Sequence, residues 1–204
     1  MEKKKSFGIV LGVIALIILI IFLANNKKGT DVVPVSSGLP GIQTTMAPWN
    51  NGGEGLKDRL KGIGEPALSM EGSALHIHQH IDIYVHGAKI GVPSRIGIGF
   101  LDSFIAPIHT HDISGVIHVE SPVVKDFTLG QFFDVWGVKF SAQSIGGYNS
   151  DANNKLQIFV NGKEEAGDPR AIVLASHQEI VVTFGTVDEL PKTIPATYTF
   201  AANE

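Results

Sequence analysis

At 204 residues the chain has room for one domain of ordinary size with appendages. It contains no cysteine, which excludes disulfides and thiolate metal sites; any metal is held by nitrogen and oxygen donors. The formal charge is −4, and without Glu2, Lys3, Lys4 and Lys5 the balance is 13 basic against 19 acidic residues, or −6, which argues against nucleic acid or an anionic lipid surface as the main partner.

The stretch "FGIVLGVIALIILIIFLA", residues 7–24, has 18 uncharged and mostly aliphatic residues. As a helix it extends about 27 Å, enough to cross a hydrocarbon core of roughly 30 Å with small adjustment. Lys3, Lys4 and Lys5 precede it, and a short basic tail normally stays in the cytoplasm. The expectation is a cytoplasmic tail at 1–6, a single-pass transmembrane anchor at 7–24, and an extracytoplasmic remainder. The rival is a cleaved secretory signal, but cleavage after Ala24 would put Phe22 where small residues are preferred. Either way the rest of the chain lies outside the cytoplasm. Residues 25–51, with Pro34, Pro40, Pro48 and no hydrophobic period, read as a flexible linker.

Order resumes in the domain 52–204. Leu56, Leu60 and Ile63 recur at helical spacing, and Gly64 with Pro66 ends a short amphipathic helix with no chemistry of its own. "ALHIHQHIDIYVHG" then alternates as a strand: Leu75, Ile77, Ile81, Ile83 and Val85 on one face, His76, His78, His80, Asp82, Tyr84 and His86 on the other. A turn at His86-Gly87 leads into a return strand, and a second hairpin covers 106–121. Thr128 with Gln131 forms a capping box opening "TLGQFFDVWG", with Phe132, Phe133 and Trp136 toward the core and Gly137 as the stop. "SAQSIGGYNSDANN" reads as an exposed loop. "LQIFVNG" runs into an Asn161-Gly162 hairpin turn, Asp168-Pro169 starts a brief turn or helix, and "EIVVTFG" is a last buried strand. The fold class is mainly β (α+β), a β-sandwich or grasp-like sheet with two short helices.

Seven of the eight histidines lie between His76 and His118. If His111 and Val116 flank a "DISG" loop, residues whose numbers add to 227 pair, and His109 faces His118 with Cβ atoms about 5 Å apart. His111 shares their face about 6.6 Å along. Three imidazoles then converge, the ligand logic of a three-histidine zinc site. In the first strand His76 to His80 spans about 13 Å, too far for one ion. The economical arrangement lets two or three histidines from each hairpin serve one or two ions. The metal ligands expected are His76, His78, His80, His109, His111 and His118, with Asp82, Asp112 and Glu120 as carboxylate acceptors behind them that orient the rings. His86 and His177 read as ordinary surface residues, and Tyr84 and Tyr148 as packing.

All-nitrogen sites suit Zn(II) or Cu(II), while the lack of Cys and the scarcity of Met disfavour a Cu(I) carrier. The primary expectation is a membrane-anchored metal-binding protein. A first alternative is a cell-surface structural or interaction protein whose histidine face is a partner surface or a protonation switch. A second is a metalloenzyme with a three-histidine open site and Glu120 or Asp82 as base. No nucleophile motif, phosphate loop or dinucleotide fingerprint is present. A homo-oligomer and an external partner both stay open.

The stretches "GEPALSMEGSALHIHQHIDIYVHG", "PIHTHDISGVIHVESP", "FTLGQFFDVWGVKF" and "VNGKEEAGDPRAIVLASHQEIVVTFG" resemble a family of membrane-anchored or secreted bacterial and archaeal proteins of largely unassigned function. The resemblance covers roughly residues 54–200. It implies an anchor-plus-ectodomain layout and a shared histidine-rich centre, carried by the same six histidines. It supplies no reaction. Some similar proteins have cysteines flanking the segment equivalent to "IGGY"; the neighbours here include Ser144 and Asn149, so a thiol role is absent.

Overall fold

The computed structural model describes residues 38–202 and 204. The expected tail 1–6, anchor 7–24 and the linker as far as residue 37 lie outside the described residues. Among the described residues no helix is long and apolar enough to cross a membrane.

The fold is mainly β with two helices, built on one mixed seven-stranded sheet and a small three-stranded one. Strand β1 (Leu75–Val85) is the long central element; Ile81, Ile83 and Val85 face the core as predicted, but burial does not alternate, since residues 78–83 are all buried. Its turn is made by His86 at φ 49° and Gly87 at φ 76°, and the return strand β2 covers only Ala88–Ile90. β3 (Ile108–His109) and β4 (Val116–Ser121) form the second hairpin. Helix α1 covers Leu56–Gly62 and helix α2 Leu129–Trp136. β5 (Phe140–Ser141), β6 (Ser144–Ile145) and β7 (Tyr148–Asn149) make the small sheet. β8 (Lys155–Val160), β9 (Lys163–Glu164) and β10 (Glu179–Gly185) complete the large one.

The order of the large sheet is β3-β4-β1-β10-β8-β9, with β2 also on β1. One edge of β1 is shared: residues 75–80 pair antiparallel with β4, and 83–85 pair with β2. The other edge takes β10 in parallel, from His80 opposite Glu179 to Val85 opposite Phe184. The apolar faces of β1, β4 and β10 contribute Ile81, Ile83, Ile117, Val119, Ile180 and Val182 to one core, which Phe132, Phe133 and Trp136 of α2 complete.

Helix α2 starts where its capping box places it. The Thr128 hydroxyl accepts from Gln131 N at 3.3 Å, and the Gln131 side chain accepts from Thr128 N at 2.9 Å. Gly137 ends it in the left-handed region at φ 75°, donating to the Phe133 carbonyl at 2.8 Å. Thr128→Ala is expected to cost about 1 kcal/mol in urea unfolding, and an unchanged midpoint would show that packing alone sets this terminus.

Two segments differ from their composition. Residues 38–51, expected as linker, include the buried Trp49, edge-on to Trp136 at 5.8 Å, and Gln43 bridged to Val138. Pro and Gly content reads as a tether, but one indole in a core pocket anchors it. The expected exposed loop 141–154 instead buries Ser144 and Ile145 through β6 and β7. Asp168 caps Pro169–Ala171 as expected, accepting from Arg170 N at 3.0 Å.

Candidate metal centre

Pairing in the second hairpin follows the predicted register. His109 on β3 faces His118 on β4, and Ile108 faces Val119. On its other edge β4 sets His118 opposite His78 and Glu120 opposite His76. Three adjacent strands therefore bring His76, His78, His109, His118 and Glu120 to one face, and His111 folds back from the loop beyond β3.

The loop closure depends on Gly115, at φ 90°: a Cβ there would lie 2.6 Å from the Ile81 carbonyl oxygen and 3.0 Å from His80 Nε2. Asp112, expected behind a ligand, accepts instead from Ser114 N at 2.8 Å and caps the same turn. Its carboxylate is held below the usual range by those Ser114 hydrogen bonds.

Rings in the cluster touch. His109 Nε2 is 3.1 Å from His111 Nε2, and His76 Nε2 is 3.3 Å from His78 Nε2. His118 meets His111 and His78 edge-on, each with centroids 4.5 Å apart. Glu120 lies 4% exposed among them. Its Oε1 is 3.3 Å from His118 Nδ1, 3.3 Å from His76 Nε2 and 3.9 Å from His78 Nε2, while its Oε2 is 3.9 Å from His109 Nε2. Oε2 has no hydrogen-bond partner among the described residues. Two groups offer ligand atoms within 4.8 Å of one another: His109, His111, His118 and Glu120, and His76, His78 and Glu120. Both could hold a metal ion.

Burial sets the charge state of this cluster. His109 is fully buried, and burial drives its pKa down to about 3 against the pull of Glu120. His109 donates from Nδ1 to the Ala106 carbonyl at 3.0 Å. That bond leaves the Nε2 lone pair facing the cluster, the tautomer a metal ligand needs. His78 is also lowered, by burial first and then by His118 and His76. Burial works to raise the pKa of Glu120, but the His118 hydrogen bond and the surrounding imidazoles outweigh it and hold the carboxylate below its usual range.

His80 does not join this cluster. Its Nδ1 lies 2.8 Å from Glu179 Oε2 and its Nε2 3.0 Å from the Ser114 carbonyl, and Tyr198 of the C-terminal segment stacks on it at 3.8 Å. His80, Asp82 and Glu179 also lie within ligand distance of one another. This third group could also hold a metal ion, and its Asp82 is ion-paired with Lys89 Nζ at 2.7 Å. His86 pairs with Glu189 at 3.0 Å and His177 stacks on Phe200, both outside the cluster as expected.

The sequence pattern left Glu120 behind a ligand; its position two residues past His118 on the same strand face was the signal that places it inside. Glu179, Tyr198 and Glu71, whose Oε1 is 3.5 Å from His111 Nε2, carried no such signal. A solvated histidine face is ruled out at its centre, since His78, His80 and His109 are buried.

Fold and cluster define the class: a mainly β domain whose central sheet carries a buried histidine–glutamate centre able to hold a metal. Comparisons of the chain with protein-family models, curated proteins and solved structures find no match.

Proposed function

We infer that the protein binds a divalent metal ion, Zn(II) or Cu(II), through His109, His111, His118 and Glu120. The observation that carries this reading is the buried Glu120 Oε2, unpartnered and facing a His109 nitrogen whose proton sits on the other side of the ring. A buried carboxylate oxygen without a donor costs several kcal/mol unless a cation meets it. Nitrogen and oxygen donors without thiolate suit Zn(II) or Cu(II). The apolar stretch 7–24 after three lysines supports a membrane-anchored domain facing outward, in keeping with the family the chain resembles. Metal handling at the cell surface, or a structural metal, is the role.

The test is elemental analysis of the full chain, purified in detergent without a histidine tag or added metal. The expected result is zinc or copper near stoichiometric, retained after dialysis. His109→Ala with His111→Ala is expected to lose it, as is His111→Ala alone, an exposed position where substitution spares the core. A chain that binds neither metal on titration would sink the reading.

One observation favours a catalytic role as a second reading. A groove of about 350 Å³ opens beside His111, lined by Glu71, Arg95 and Phe104 among others. Glu120 and Asp82, expected as bases, are committed to the cluster and to Lys89; Glu71, half exposed at the rim, would take that role. Exchangeable water on the bound metal, abolished when the groove is blocked at Phe104 by Phe104→Trp, would favour this reading.

A further inference from the structure

We propose that the centre holds two metal ions, bridged by the carboxylate of Glu120. The proposal rests on the metal-binding reading above and adds the number of ions and their link.

The strand order divides the donors into two sets. β3 and β1 lie on opposite sides of β4, and His76 is two residues further along than His78, which lies across from His109, so His109 and His76 start from backbones roughly 11–12 Å apart. A single ion takes its donors at roughly 2.0–2.2 Å, which keeps any two of them within about 4 Å. No group of mutually close ligand atoms contains both His76 and His109. The donors divide into two sets, one on each flank of β4, and Glu120 on the middle strand belongs to both.

Its two oxygens are divided in the same way. Oε2 faces His109, which carries His111 beside it. Oε1 faces His76 and His78 at 3.3 and 3.9 Å, and also lies 3.3 Å from His118 Nδ1 on the middle strand between the two sets. The first ion takes His109, His111, His118 and one oxygen, a closed four-donor shell. The second takes His76, His78 and the other oxygen, three donors with a position left over. His76 is 53% exposed, so this second ion meets solvent and is the exchangeable one. A shared carboxylate puts the ions on the order of 4 Å apart, the spacing of two-metal sites. A buried carboxylate with one unpartnered oxygen, set among five imidazoles, is the arrangement such a pair needs. Neither ion alone uses all six donors.

The experiment titrates the metal-stripped full chain with Cu(II) and follows bound equivalents and the electron paramagnetic resonance spectrum. Expected are two equivalents. The second should broaden the isolated Cu(II) signal and introduce a half-field transition from coupled ions. His76→Ala, at an exposed position, should leave one equivalent with an isolated signal. Glu120→Gln should abolish the coupling and weaken the second ion at least about tenfold. A chelator should strip the second ion first. One equivalent in the native chain, unaffected by His76→Ala, overturns the pair and leaves the mononuclear reading intact. Two equivalents with two isolated signals overturn the bridge. No binding at all overturns this proposal and the metal-binding reading together.

Discussion

Arg59→Met is expected to remove more than about 4 kcal/mol of stability, enough to leave the domain largely unfolded at 37 °C. The side chain is fully buried and sits between two parts of the chain. Nε donates to the Asp134 carbonyl at 2.9 Å and Nη2 to that of Val135 at 3.1 Å. Nη1 donates to the Glu54 carbonyl at 2.6 Å and that of Pro40 at 3.2 Å, and Nη2 also reaches the Gly52 carbonyl. Asp134 and Val135 lie in the last turn of α2, where carbonyls have no intrahelical donor and a cation meets the negative end of the helix dipole. Burial pushes the Arg59 pKa down to about 10, with Asp134 pulling the other way, so the guanidinium is charged at neutral pH. Methionine fills much of the volume and satisfies none of these carbonyls, each left at a cost of about 1–3 kcal/mol. Lysine should recover little, since one ammonium cannot span a fork of five acceptors. Urea unfolding of the three proteins checks this. A loss below about 1 kcal/mol for Arg59→Met would mean that water replaces the guanidinium and that the segment 40–54 is held by Trp49 instead.

The same residue shows where sequence reading reaches its limit. The period-3.6 pattern of Leu56 and Leu60 marks α1, but Arg59 on that pattern reads as surface charge; only the fold reveals five carbonyls converging on it. Short-range devices were legible: the capping box of α2, the Asn161-Gly162 turn, and above all the 107–120 hairpin, where a four-residue loop sets the register that pairs His109 with His118. The neighbour on the far edge of β4 was not legible, because β1 and β4 are separated by 30 residues that include β2, a 3-10 turn and β3. Hence the sequence could group His76, His78 and His80 only by alternation. The sheet then separates them, His76 and His78 to the cluster and His80 to Glu179, 99 residues away across a parallel pairing with β10. Burial of the histidine face was equally hidden. A polar strand face is normally solvated, and here Tyr198 from the C-terminal segment covers His80.

Acid should destabilise the metal-free chain well above the pH at which carboxylates ordinarily titrate. His109 has a folded-state pKa of about 3 against 6.5 for the free side chain, because burial excludes its charged form. Between those values the unfolded chain binds a proton that the folded chain refuses. Stability from this residue is therefore complete above about pH 6.5 and falls as pH drops toward 3, by about 1.4 kcal/mol per pH unit. His78 shifts in the same direction and steepens the fall. Glu120, held below the ordinary glutamate value of 4.5, adds its own loss only below that pH, so the window from 6.5 to 4.5 reports on the imidazoles. Bound metal should oppose this, since an ion that binds the folded form alone contributes about 2.7 kcal/mol at a hundred times its Kd. Protons compete for the same nitrogens, so that contribution must itself shrink as the pH falls. Urea midpoints of the stripped and loaded chain at about pH 7, 6 and 5 separate the two effects. The stripped chain should decline throughout, and the gap between the curves should be widest at pH 7. A stripped chain equally stable at pH 7 and 5 would mean that water reaches His109 and solvates its charge. The neutral, pre-oriented nitrogen on which the metal reading depends would then be absent.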